Sequence, residues 1–181
     1  KTTLTKHLAH TFGAGWIPEI GRLICEREYH SSELAMSRGD YLRIAMEHRL
    51  KEMELTGWGG CGVMFSDTTN LITHFSGICA EKIDYSDLLF RTLSREESYN
   101  FYDLFLFLTP EVPWVADPLR LQDTPEKRKE THSLLDTMIR ASYDTSKVVV
   151  ISGSDYDERT QKAEEAVRKL LNIKGEKDER N

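Results

Sequence analysis

Lys1-Thr2-Thr3-Leu4-Thr5-Lys6 is the stretch whose reading decides the fold. A lysine followed by a hydroxyl residue at the start of a helix is how a phosphate-gripping loop ends. Backbone N–H groups wrap the phosphates, the ammonium reaches their outer oxygens, and the hydroxyl holds a divalent cation. Leu4, Leu8 and Phe12 give the next dozen residues one apolar face, and Gly13-Ala14-Gly15 ends them. Three residues alone are weak evidence, because Lys-Thr-Thr opens many ordinary helices. The remaining chain has to supply the context.

The 181 residues suffice for one domain with a real core, and 39% apolar with 30% charged residues is ordinary globular usage. A net charge of -6 disfavours a nucleic-acid partner, whose phosphates call for a basic face, without excluding one. Cys25, Cys61 and Cys79 are widely spaced and match neither a disulfide frame nor a zinc site. No apolar run has membrane-spanning length and no signal peptide is visible, so the expected compartment is the cytoplasm. Oligomeric state is not legible.

Three near-continuous apolar runs, 61–66, 102–108 and 147–151, predict strands buried on both faces. Trp16 to Ile20 reads as a shorter extended segment, with Ile17 kept out of the helical region by Pro18. Helices are predicted over 1–12, 21–29, 41–55 with Asp40 as N-cap, 69–80, 84–96, 125–143 behind Thr124-Pro125, and 158–171 behind Ser154-Asp155. Met46, Met53, Phe105 and Phe107 are expected in the core, and His7, His10, His30 and His74 to be structural. This alternation predicts an α/β domain over 1–173, a parallel sheet flanked by helices. Substrate-side helices would occupy 20–56, a lid 113–128, and a charged tail 174–181.

Ligands of an open parallel sheet sit at the carboxyl ends of its strands, which makes strand-end polar residues the candidates. Asp67 closes the run 61–66, where a carboxylate holds Mg²⁺ in phosphoryl transfer; its ordinary alternative is to N-cap the next helix. Glu19 follows Pro18 and is a candidate to accept the proton of an attacking hydroxyl, with Arg22 one turn on as its partner or a substrate clamp. Trp114, Asp117 and Arg120 lie in the irregular stretch, where a mobile arginine would neutralise a transferring phosphoryl group. Asp40, Tyr41 and His48 on the long helix, and Asn70 beyond Asp67, face the expected substrate side. Tyr156 and Arg159 stand at a strand–turn–helix corner suited to a nucleobase.

Taken in order, Lys1-Thr2-Thr3-Leu4-Thr5-Lys6, Glu19-Ile20-Gly21-Arg22, Ser66-Asp67-Thr68-Thr69, Trp114 to Arg120 and Ser154 to Arg159 resemble the AAA-like P-loop kinase domain of the NadR-type ribosylnicotinamide kinases. The resemblance implies a P-loop NTPase fold of nucleoside-kinase type with a lid, and ATP-dependent phosphorylation of a primary hydroxyl on a nucleoside-like acceptor, nicotinamide riboside first. It implies that Lys1, Thr2, Thr3 and Arg120 bind the nucleotide's phosphates, that Thr2 holds Mg²⁺, and that Asp67 holds either the metal or the acceptor hydroxyl, with the general base either Glu19 or Asp67. Related enzymes phosphorylate nucleosides or hydroxymethylated bases in DNA, and a nucleotide-dependent regulatory module with little turnover is a third reading. Thr69 departs from the pattern, which usually has a second Asp there. The glycines and strand expected before the lysine are not in the sequence, so these residues alone are expected to bind ATP poorly.

Overall fold

The structure is a computed structural model that describes residues 1–57, 62–115, 117, 119 and 124–172. Arg120, Cys61 and the 174–181 tail lie outside the described residues. Along the chain come α1 (Thr2–Thr11), β1 (Gly15–Ile17), α2 (Ile20–Ile24), α3 (Arg38–Gly57), β2 (Met64–Ser66), α4 (Asn70–Cys79), α5 (Leu88–Glu96), β3 (Phe105–Leu108), α6 (Pro125–Ser142), β4 (Val148–Ile151) and α7 (Tyr156–Leu170). α2 runs on as a π-helical turn, Cys25–Tyr29, and α5 as another, Glu97–Phe101.

Local chemistry explains most boundaries. Gly13 ends α1 with φ +60°, a conformation that costs glycine little. Thr124, Asp155 and Asp87 cap α6, α7 and α5 by accepting hydrogen bonds from backbone N–H groups. Asp40 is not the cap expected for α3. The helix begins at Arg38, and Asp40 reaches back from the first turn to accept from the Ser37 N–H and hydroxyl, while the Tyr29 hydroxyl donates to the same carboxylate. Thr69, not Asp67, caps α4.

Among the described residues all pairings are parallel, as the buried apolar runs required, but they form two pairs instead of one sheet: β1 with β2 and β3 with β4. Alternation along the strands feeds two cores. Phe65, Leu106, Leu108, Val149 and Ile151 pack with Leu8 and Ala163 on the α1/α7 side. Phe105, Phe107 and Val148 pack with Leu71, Ile139 and Tyr143 on the α4/α6 side. A third cluster, with Ile24, Tyr41, Ala45 and Phe90 fully buried, joins α2, α3 and α5.

Between the pairs lies an apolar cavity of about 430 Å³. It touches every residue of β2 and every residue of β3. Successive side chains point to opposite faces, so a space that meets them all runs along the strand edges and not over a face. Leu4 and Leu8 line it on one side, and Leu135 and Ile139 on the other. It is a strand-shaped slot, with strand edges of β2 and β3 that no described residue pairs on either side, and helices above and below.

α3 overturns one core expectation. Met46, Leu50 and Met53, at helical spacing, are 49%, 55% and 55% exposed, whereas His48 and Glu52 of the same helix are buried. Among the described residues, no helix is long and apolar enough to cross a membrane.

Candidate functional site

The carboxyl ends of β1 and β2 meet the N-terminus of α1. In-register pairing sets Ile17 beside Ser66, and the Asp67 N–H donates to the Ile17 carbonyl. Glu19 and Asp67 are therefore carried to the same edge. Lys1 Nζ lies 2.9 Å from Glu19 Oε2, and the Thr2 hydroxyl donates to Asp67 Oδ2. Four candidates scattered over 67 residues of sequence thus form two contacts side by side. α1 has no acidic residue in its first turn and no side-chain cap, so its positive end is open to an anion. Thr3 is exposed on that first turn.

Asp67 is 7% exposed, and its Oδ1 is buried with no hydrogen-bond partner. A buried carboxylate oxygen left unmatched is costly in a finished core, whereas oxygen donors from Thr2 and Asp67 suit a hard divalent cation that keeps most of its waters. The residues present fit Mg²⁺. When bound, that ion would neutralise charge on a transferring phosphoryl group.

Beside this edge a small, partly open cavity of about 20 Å³, room for roughly one water, is lined by Glu19, Tyr41, His48, Thr68 and Thr73 among others. α2, α3 and the start of α4 wall it. Its contents are chemically mixed: a carboxylate, an imidazole and hydroxyls against Ile20, Met36 and Ile44. Burial drives the Tyr41 phenol well above its usual range, so it stays neutral.

Arg22 does not pair with Glu19. Its guanidinium reaches Asp117 at 2.8 Å and Glu26 at 2.9 Å, and the Asp117 carboxylate also accepts from the Leu119 N–H. The ion pair ties α2 to the irregular segment expected to form the lid. Trp114 of that segment is half-buried. Asn70 is fully buried at the start of α4, where its backbone N–H donates to the Glu97 carboxylate; it lines neither cavity. Arg159 is buried as well, its guanidinium donating to the carbonyls of Thr109 and Ile151. It staples the ends of β3 and β4 together, and leaves Tyr156, 64% exposed, as the open side chain of that corner. His74, as expected, is a core residue stacked on Phe90. The Thr69 departure has a structural account: its hydroxyl caps α4 and accepts from the buried Tyr143 hydroxyl.

Sequence reasoning missed a buried polar group beneath the cavity. Glu52 accepts from Tyr102 Oη at 2.6 Å and Arg49 at 3.0 Å, and lies 3.1 Å from His48 Nε2. These donors outweigh desolvation and hold its carboxyl below the usual range. Burial, and Glu52 nearby, push Glu97 well above it. Glu52 sits four residues after His48 on a helix, and that spacing was the available signal.

An open parallel α/β core with a lysine and a hydroxyl at a helix start, facing a strand-end aspartate, defines a P-loop nucleotide-binding fold. A sequence profile of the AAA domain family matches residues 1–159, and the chain belongs to that family. It is similar to the trifunctional NAD biosynthesis/regulator protein NadR of Escherichia coli (strain K12), 29% identical over 171 residues that cover 94% of this chain and 40% of the relative. The Salmonella typhimurium (strain LT2) protein of the same name is 28% identical over 175 residues, 97% of this chain and 41% of the relative. The chain spans about two fifths of the length of these curated relatives. Among solved structures, a NadR protein in complex with NR superposes with a TM-score of 0.79 at 24% identity, over 99% of this chain and 50% of the other. A NadR protein in complex with NAD and AMP-PNP gives 0.76 at 22% identity, over 97% and 47%. At these identities the superpositions carry the fold.

Proposed function

We propose that the chain is a phosphotransferase module that moves the γ-phosphate of ATP, with Mg²⁺, onto a primary hydroxyl of a nucleoside-like acceptor, nicotinamide riboside foremost. The observation that carries this reading is the pair of contacts Lys1–Glu19 and Thr2–Asp67 at one sheet edge. Similarity to NadR proteins, two of them solved with NR or with NAD and an ATP analogue, supports the nucleotide and the acceptor class.

Lys1 and the open end of α1 bind the phosphates. Thr2 and Asp67 supply oxygen donors to the cation. Glu19 borders both the phosphate side and the mixed-polarity cavity, and accepts the proton of the acceptor hydroxyl as it attacks. Arg120 contributes to the lid, and Arg22 with Asp117 holds that segment near α2. In this arrangement the acceptor approaches Glu19 from the side of this partly open cavity. The test is an ADP-release assay on the native polypeptide with nicotinamide riboside, other nucleosides and hydroxymethylated DNA. Release stimulated by nicotinamide riboside, and abolished by Asp67→Ala in a folded protein, supports the assignment. Stimulation by DNA alone would replace the acceptor, and no stimulation by any acceptor favours a nucleotide-dependent binding module.

A further inference from the structure

The buried group beneath the cavity has no part in the steps above, yet it is the most heavily built polar feature outside them. A fully buried carboxylate is expensive unless donors surround it, and an apolar residue would fill the same space on α3 without that cost. Glu52 is surrounded: Tyr102 and His48 meet Oε1, and Arg49 meets Oε2. His48 is 1% exposed and still contributes to the cavity wall. The Ser66 hydroxyl lies 3.4 Å from His48 Nε2 and donates to the Thr68 carbonyl, so the group reaches the loop that carries Asp67.

We propose that Glu52 is a positioning residue for the acceptor cavity: its carboxylate fixes His48 as the Nε2–H tautomer and leaves Nδ1 as a hydrogen-bond acceptor. A carboxylate accepts hydrogen bonds and cannot donate them, so the imidazole nitrogen that faces it carries the hydrogen. One tautomer in one orientation is what a site needs to read a hydroxyl of a small polar acceptor, and a buried partner one turn along the helix supplies it without motion. This inference rests on the reading of the cavity as the acceptor site. His48, Glu52 and Glu97 are also donor types for a transition metal, and their ligand atoms lie within 4.8 Å of one another. Arg49 already holds the cationic place at Glu52, which favours the hydrogen-bonded arrangement.

Long-range proton–nitrogen NMR of the imidazoles in the native polypeptide, in mildly alkaline buffer, reads the tautomer directly. The expected result is Nε2–H for His48, lost in Glu52→Met, which keeps the volume and removes the acceptor. Acceptor KM in that variant rises about tenfold, as loss of an orienting partner does, while the KM for ATP stays within about twofold. An Nδ1–H signal in the native protein, an unchanged acceptor KM in Glu52→Met, or a stoichiometric transition metal in the purified protein would each overturn the proposal. Should Glu52→Met fail to fold, Glu52→Gln carries the comparison. Weakening the acceptor then admits the second tautomer, and a spectrum and KM identical to native refute the role. A native protein that phosphorylates no acceptor sinks the kinase reading, and the tautomer measurement still decides this one.

Discussion

Glu19→Gln separates catalysis from stability at the sheet edge. The Lys1–Glu19 pair has an N–O distance of 2.9 Å, with side chains 41% and 26% exposed. Solvent screens such a pair, and contacts of this kind contribute at most about 1 kcal/mol. For a domain of this size that bounds the fall in Tm at roughly 2–4 °C. Glutamine keeps the length and an oxygen for Lys1, so the actual fall should be smaller. If Glu19 accepts the proton of the attacking hydroxyl, the same change removes a general base, which costs about 10²- to 10⁴-fold in rate. That is roughly 3–5 kcal/mol in the barrier, well outside the range of the ion pair. Thermal unfolding and single-turnover transfer to nicotinamide riboside at saturating ATP, both on the native polypeptide, measure the two quantities. A rate within about threefold of native, in a protein whose Tm has barely moved, would refute the base assignment and leave Glu19 as a counter-ion for Lys1.

Glu97 sets a pH dependence of stability. Its folded-state carboxyl titrates well above the usual carboxylate range because it is buried near Glu52, so the folded state keeps a proton that the unfolded chain releases above about pH 4.3. Stability therefore falls as pH rises from there to the folded value, by up to ~1.4 kcal/mol per pH unit, and urea titrations of Glu97→Gln should show that slope removed. A Cβ at Gly77 would stand 2.3 Å from Ile83 Cδ1 and 2.8 Å from Cγ1, so Gly77→Ala should cost about 1–3 kcal/mol by overpacking, with Ile83→Ala in the same chain recovering part of it in Tm. The slot of about 430 Å³ is lined mostly by apolar side chains and is partly open to solvent, so a strand seated in it would take apolar surface out of water along both strand edges. An apolar strand joined ahead of Lys1 should therefore raise the urea midpoint strongly and slow amide exchange in 64–66 and 105–108, whereas unchanged exchange there would mean that the slot takes no strand.

The sequence made the outer frame of this site legible, and each part for a stated reason. Apolar runs such as 105–108 suit strands covered on both faces, and Asp67 follows such a run, so the rule that ligands gather at carboxyl ends singled it out, and the structure sets it beside Thr2. What escaped was whatever depended on which way a charged helix turns. α3 carries charges all round, and a face bearing His48 and Glu52 looks solvated while one bearing Met46, Leu50 and Met53 looks buried. The structure inverts both, because Tyr102 and Arg49, distant or adjacent in sequence, bring the donors that make burial of Glu52 tolerable. Periodicity counts apolar side chains and is blind to such compensation. The Arg22–Asp117 pair escaped for a related reason: 95 residues separate the partners, and a surface arginine has no pattern that names its carboxylate. Under the function proposed above, both misses fall on the acceptor side of the molecule and not on the phosphate side. Phosphate binding needs a helix end, a cation and a strand-end carboxylate, which local sequence encodes. The proposed acceptor side is a wall assembled from α2, α3 and α4, with Asp117 tied to α2, and only tertiary structure brings those together. If the proposed function holds, residues that choose the acceptor are to be sought around His48, Glu52 and Asp117 and not around Lys1.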